Sequence, residues 1–156
     1  MISKEFFIVK GIGISEKSEV NAFDAALIDA GLGNSNIITV SSIIPPFANE
    51  INPKKIEDGS MVFTVLGKNS GISKDQISVG LTWGWAENKE EKIGLVVTAK
   101  QNFIDNDLLE KLLKEKINEM ATARRMELLS YKTQKSSLII PENKYGCVIV
   151  VFVYVL

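Results

Sequence analysis

The sequence predicts an α+β fold. Runs rich in β-branched residues outnumber two amphipathic helical runs, and the two kinds do not alternate in the βαβ order that builds a parallel sheet. The chain has 156 residues with 46% hydrophobic content, enough to bury a core of its own. No internal repeat, low-complexity tract or linker interrupts it, so residues 1–156 read as one domain.

Phe6–Lys10 reads as the first strand. Gly11 and Gly13 then read as turn glycines, because the rest of a dinucleotide fingerprint is missing. Ser18 is placed to cap a helix running to about Ala30, and Gly31 supplies its stop. Val20, Phe23, Leu27 and Ala30 share one face of that helix, with Asp24 at the margin. The small Ala22, Ala25 and Ala26 would let it sit close to a sheet. Asn36–Ile44 predicts a second strand, stopped by Pro45-Pro46, which fix their own φ and restrict Ile44 before them.

Phe47–Gly59 reads as a loop. Ser60–Lys68 predicts a strand apolar enough to be buried on both faces, closed by a turn at Asn69-Ser70-Gly71. Gln76–Trp85 alternates Ile77, Val79, Leu81 and Trp83 with the small Ser78, Gly80, Thr82 and Gly84, which predicts a half-buried strand. Its small face would lie against another strand or subunit. A polar hairpin turn over Glu87–Lys92 leads to a strand at Ile93–Lys100.

Asp105 or Asn106 is placed to cap a long helix from about Asp107 to Leu129. Leu109, Leu113, Ile117, Met120, Ala121 and Leu128 form its apolar stripe, and Glu110, Lys114, Glu115 and Lys116 its solvated side. Lys135–Ile140 and Tyr145–Val155 predict the final strands, joined through Pro141–Lys144.

Composition narrows the chemistry. Lys and Arg number 18 and Asp and Glu 19, a net charge of −1 that asks for neither nucleic acid nor a membrane surface. The longest apolar run, Cys147–Leu156, is too short for a helix across a bilayer. The opening Met1–Glu5 is charged and runs straight into a strand, so no secretory leader is expected. The single Cys147 cannot form an intrachain disulfide and fits a reducing, cytoplasmic setting. The chain contains no histidine, which removes the usual Ser-His-Asp and Cys-His chemistries and most catalytic zinc sites. Acid–base work falls to carboxylates, Tyr, Lys, water or the backbone.

One stretch stands out: a β-branched run, the adjacent Ser41 and Ser42, then Ile43-Ile44-Pro45-Pro46. By itself a Ser-Ser pair at a strand end reads as two hydroxyls satisfying nearby backbone groups. Its flanks change that reading. Asn21-Ala22-Phe23-Asp24-Ala25-Ala26-Leu27, then Ala30-Gly31-Leu32-Gly33-Asn34, then Ser41-Ser42-Ile43-Ile44-Pro45-Pro46 together resemble the pyruvoyl-dependent arginine decarboxylase family. The resemblance is dense over residues 21–46 and continues weakly to the C-terminus.

The resemblance implies an αββα sandwich of two β-sheets flanked by helices, assembled as a homotrimer or higher multiple with active sites between subunits. It implies self-cleavage at Ser41–Ser42 into a β chain of residues 1–41 and an α chain of residues 42–156, Ser42 becoming a covalent pyruvoyl group. It implies arginine as the small-molecule substrate, agmatine and carbon dioxide as products, and no cofactor from outside the chain. Asn36 would stabilise or position the reacting carbonyl, because its amide can donate a hydrogen bond. Asp24 would meet the guanidinium end of the substrate, a pairing suited to two parallel charge-assisted bonds. Asn34 reads as a turn former.

At one position the sequence departs from the family. The family's proton donor is a glutamate in a Gly-Leu-apolar-apolar-Glu setting, and here the run is Gly94-Leu95-Val96-Val97-Thr98. Threonine is not a titrating acid near neutral pH. Glu87, Glu127 and Tyr145 are conceivable replacements. Three readings follow: an arginine decarboxylase with an altered proton donor, a pyruvoyl enzyme for another amino acid, or a non-catalytic member of the family.

Overall fold

A computed structural model describes residues 1–156 as two β-sheets packed face to face, with one helix on the outer face of each. Sheet A contains β2 (Asn36–Thr39), β5 (Met61–Ile72), β9 (Tyr145–Val155), β1 (Glu5–Ser15) and β4 (Asn49–Glu50), in that spatial order. Sheet B contains β3 (Ile43–Ile44), β7 (Lys92–Gln101), β6 (Gln76–Glu87) and β8 (Glu127–Ile139). Helix α1 (Glu19–Asp29) covers sheet A and α2 (Asn106–Ala123) covers sheet B. The result is the αββα layering expected from the resemblance.

Strand β9 shows how the layers are held. Val148, Val150 and Phe152 point between the sheets, while Cys147, Ile149, Val151 and Val153 point at α1, so this strand is buried on both faces. Phe152 stacks on Phe6 at 4.5 Å between ring centroids and meets Tyr154 edge-on at 4.9 Å. Buried Asn69 on β5 donates from its amide to the Gln101 carbonyl (2.8 Å) and the Ser78 carbonyl (3.3 Å), tying sheet A to sheet B. Burial also pushes the Cys147 thiol up, away from the reactive thiolate form.

Several sequence expectations are corrected. Gly11 and Gly13 are not turn residues; they lie inside β1, where a Cβ would sit 2.1 Å from the Ala26 carbonyl oxygen and 2.0 Å from that of Ala22. They let helix backbone rest directly on strand backbone. The helix accordingly presents Ala22, Ala26 and Ala30 to the sheet, and Val20 is 76% exposed rather than part of the buried face. Strand β5 runs through the expected turn at Asn69-Ser70-Gly71 to Ile72, and the chain reverses at Lys74, whose φ is 67°. Strand β6 is buried on both sides, because its small residues accept α2: a Cβ on Gly80 would lie 2.6 Å from the Leu113 side chain. Helix α2 ends at Ala123, with Arg125 at a φ of 56°, so Leu128 and Leu129 belong to β8.

The most consequential correction concerns Asn36–Ile44. It is not one strand. Asn36–Thr39 pairs parallel to β5 in sheet A, and Ile43–Ile44 pairs antiparallel to β7 in sheet B. The chain changes sheets across Val40, Ser41 and Ser42.

Candidate active site

The crossing segment is pinned at both ends. Val40 N–H donates to the Thr64 carbonyl at 2.8 Å in sheet A, and Val96 N–H donates to the Ser42 carbonyl at 2.9 Å in sheet B. Between them, the Ser41 carbonyl and the Ser42 N–H make no backbone hydrogen bond, and neither serine hydroxyl is engaged. The next carbonyl, of Ile43, accepts a 2.7 Å hydrogen bond from the Tyr154 hydroxyl. Burial pushes the Tyr154 phenol up to about 12, which keeps it a donor. Ile44 then anchors the segment, fully buried against Gly94.

The Ser41–Ser42 peptide thus forms a wall between two concavities. On the Ser41 side lies an apolar hollow of about 340 Å³ lined by Ile2, Val40, Ile43, Phe63, Tyr154 and Leu156 among others. On the Ser42 side is a groove of about 480 Å³ between the free edge of β7 and helix α2. Val97 and Thr98 contribute from β7, and Lys116, Glu119, Met120, Ala123 and Arg124 from α2.

Ser42 and Thr98 are therefore brought together, two expected site residues that are 56 positions apart in sequence (98 − 42). The Thr98 side chain leans between the sheets, its methyl 3.3 Å from where a Cβ on Gly67 would stand. Glu87, Glu127 and Tyr145 do not line the groove; Glu87 and Glu127 face each other across β6 and β8, and Tyr145 pairs with Ser15 and Ile72 in sheet A. Lys116 and Glu119, absent from the sequence-based candidates, do line it. Their signal was present: positions 116, 119, 120 and 123 form one stripe at helical spacing. It acquires meaning only once α2 lies across β7.

Two other expected residues lie elsewhere within the chain. Asp24 is exposed on α1, over the outer face of sheet A, while the Ser42 groove adjoins α2 on sheet B. Asp29, on the same helix, is not a free surface acid: its carboxylate accepts from Ile12 N–H at 2.8 Å. Asn36 opens β2, at the end remote from Ser42, and its amide donates to the Gly59 carbonyl at 3.1 Å. Asn34 holds the neighbouring turn by donating to Asp58 at 3.2 Å.

Comparison with known proteins identifies the family. Residues 5–156 match the family described as pyruvoyl-dependent arginine decarboxylase. The chain is 32% identical over 137 residues to a protein of that name from Methanopyrus kandleri, covering 87% of this chain and 86% of the relative. It is 40% identical over 84 residues to the protein of that name from Methanococcus vannielii, covering 53% and 51% of the two chains. The match to one from Nitrosopumilus maritimus is 37% over 73 residues, covering 44% and 39%. On these similarities, with which its layered fold is consistent, the chain belongs to the pyruvoyl-dependent arginine decarboxylase family, carboxy-lyases whose catalytic group is a covalent pyruvoyl.

Proposed function

We propose that this chain cleaves itself between Ser41 and Ser42 and then decarboxylates L-arginine to agmatine. The observation that carries the proposal is the unpaired Ser41–Ser42 peptide, hydrogen-bonded to a different sheet on each side. A peptide without hydrogen bonds is open to attack, and fixed flanks reduce the entropy lost in reaching the reactive geometry. The Ser42 hydroxyl attacks the Ser41 carbonyl carbon, so a C–O bond forms as the C–N bond breaks. Removal of the Ser42 α-proton expels the Ser41 carboxylate. Water then replaces the nitrogen, which leaves as ammonia, and the new chain begins with a ketone at position 42.

The surrounding residues fit such a group. The Ser42 carbonyl stays fastened to Val96 and the Ile43 carbonyl to Tyr154, and the groove that Ser42 lines has room for an amino-acid substrate. A pyruvoyl group there supplies an electron-accepting carbonyl for the loss of carbon dioxide. The chain supplies orientation and protons. Arginine as substrate is supported by the names of the relatives.

One chain does not bring Asp24 or Asn36 to Ser42, so the complete site requires a second copy. Exposed apolar residues around the crossing segment support such an assembly: Ile38, Val40, Ile43 and Met61 are 36%, 40%, 40% and 66% exposed. In this homotrimer or higher multiple, Asp24 of one subunit recognises the guanidinium while Ser42 of another provides the ketone. Asn36 donates to the reacting carbonyl across the same boundary. The place of action is the cytoplasm, a reading supported by the lone, buried Cys147. No helix is long and apolar enough to cross a membrane.

The test is intact-mass analysis with a carbon dioxide assay. Wild type should yield two fragments divided after Ser41, the larger with a ketone terminus, and should release carbon dioxide from arginine. Ser42→Ala should remain one chain and release none. An uncut wild-type protein overturns the proposal. Cleavage without turnover of any amino acid favours a processed, non-catalytic subunit, and turnover of another amino acid favours a different substrate, the two readings that Thr98 suggests.

A further inference from the structure

Exchanging a carboxylate for hydrogen requires a proton at the carbon that carbon dioxide leaves, and Thr98 cannot supply it. Helix α2 can. Lys116 Nζ donates to the Thr98 carbonyl at 2.8 Å, which fixes the ammonium at the free edge of β7. Val96 and Thr98 present their backbone groups from that same edge, two residues apart, and Val96 holds Ser42. Strand geometry therefore places the ammonium roughly 9 Å, along the strand, from the bond that fixes Ser42. An ammonium has three N–H donors, and Thr98 occupies one, leaving two for the groove. Arg124 is tied to the Met120 carbonyl at 3.1 Å and bears protons it does not release.

We propose that Lys116 is the proton donor of the decarboxylation, so that α2 provides what β7 lacks at Thr98. This rests on the arginine decarboxylase reading above. The C–CO₂ bond breaks, its electron pair takes a proton from the Lys116 ammonium to form the C–H bond of agmatine, and the amine recovers its proton from water.

The experiment compares Lys116→Met, Lys116→Arg, Glu119→Gln and, as a control on the solvated side of the helix, Lys114→Met. Lys116→Met should still split after Ser41 and bind arginine within a few-fold of wild type. Its turnover should fall by about 10² to 10⁴. A second readout is independent of turnover. A proton misdelivered to the terminal carbon leaves, after hydrolysis, an N-terminal alanine and releases the substrate skeleton as an aldehyde. Intact mass should show this terminus accumulating in Lys116→Met exposed to arginine, and not in wild type or Lys114→Met. Lys116→Arg should not restore turnover, because a guanidinium keeps the charge without giving up its proton. Wild-type turnover in Lys116→Met overturns the proposal, as does full activity in Lys116→Arg, which would show that charge alone matters. Loss confined to Glu119→Gln would assign the acid to that carboxylate and overturn it equally. A wild-type protein that is uncut or inert to arginine defeats the parent reading first, and the role of Lys116 with it.

Discussion

The backbone N–H of Val96 holds the carbonyl of Ser42 at 2.9 Å, and no equivalent bond restrains the peptide before it. This places the Ser41–Ser42 linkage at a change of sheet, where its donor and acceptor have no backbone partner. An antiparallel ladder to β7 continued through Ser42 would also have engaged the Ser42 N–H, which lies on the same side of the strand as the Ser42 carbonyl. The local fold thus leaves one peptide available while fixing the residues on each side.

Gly94 is the test of that fixation. A Cβ at this position would lie 2.4 Å from the Ile44 Cβ, and Ile44 is fully buried. Gly94→Ala should push β3 off β7 at a cost of about 1–3 kcal/mol, a usual range for overpacking. The expected outcome is a lower urea midpoint together with slow or absent cleavage by intact mass. Normal stability and normal cleavage would show that the β3–β7 contact does not position Ser42.

Tyr154 gives a pH-dependent prediction. Its folded pKa is raised from 10.0 to about 12 by burial. The sign follows from linkage: the neutral phenol's contribution is complete below the unfolded value and is lost as pH rises through the folded one. Denaturant midpoints of wild type should therefore fall between about pH 10 and about pH 12 more steeply than those of Tyr154→Phe. Near neutral pH the variant should be less stable by about 1 kcal/mol, because the Ile43 carbonyl loses its donor. Parallel pH curves for the two proteins would remove Tyr154 from the account.

A shared site predicts complementation. Asp24→Ala should process normally yet lose about 1.5–3 kcal/mol of arginine recognition, the scale of a hydrogen bond to a charged group. Ser42→Ala should stay uncut. Co-expressed with different tags and purified as mixed assemblies, the two should recover measurable decarboxylation, since a site can combine Asp24 from one subunit with Ser42 from another. Confirmed mixed assemblies without activity would refute a site divided in this way.

Much of this protein is determined by sequence alone. Periodicity located β1, β5, β6, β7, β9 and both helices, because burying one face of an element imposes a repeat of 2 or 3.6 residues; β4 read as loop and β8 was expected only from Lys135 onward. Ser18 and Asp105 were legible as caps, and their side chains accept from Asn21 N–H and Leu108 N–H. The family resemblance carried by Asn-Ala-Phe-Asp, Gly-x-Gly-Asn and Ser-Ser-Ile-Ile-Pro-Pro is what singles out Ser42 as the candidate. Tertiary structure decided the rest. Gly11 and Gly13 look like turn residues until a helix lies on them, since local patterns do not record a backbone arriving from another element. The β-branched run from Asn36 to Ile44 has one periodicity but belongs to two sheets, because strand partners are chosen over long separations: Thr64 for Val40 and Val96 for Ser42. Lys116 looks solvated on its own helix and becomes a neighbour of Thr98 and Ser42 only when α2 packs across β7. Chemistry at a site depends on distances through space, and a helix fixes which of its residues share a face without fixing what that face will meet.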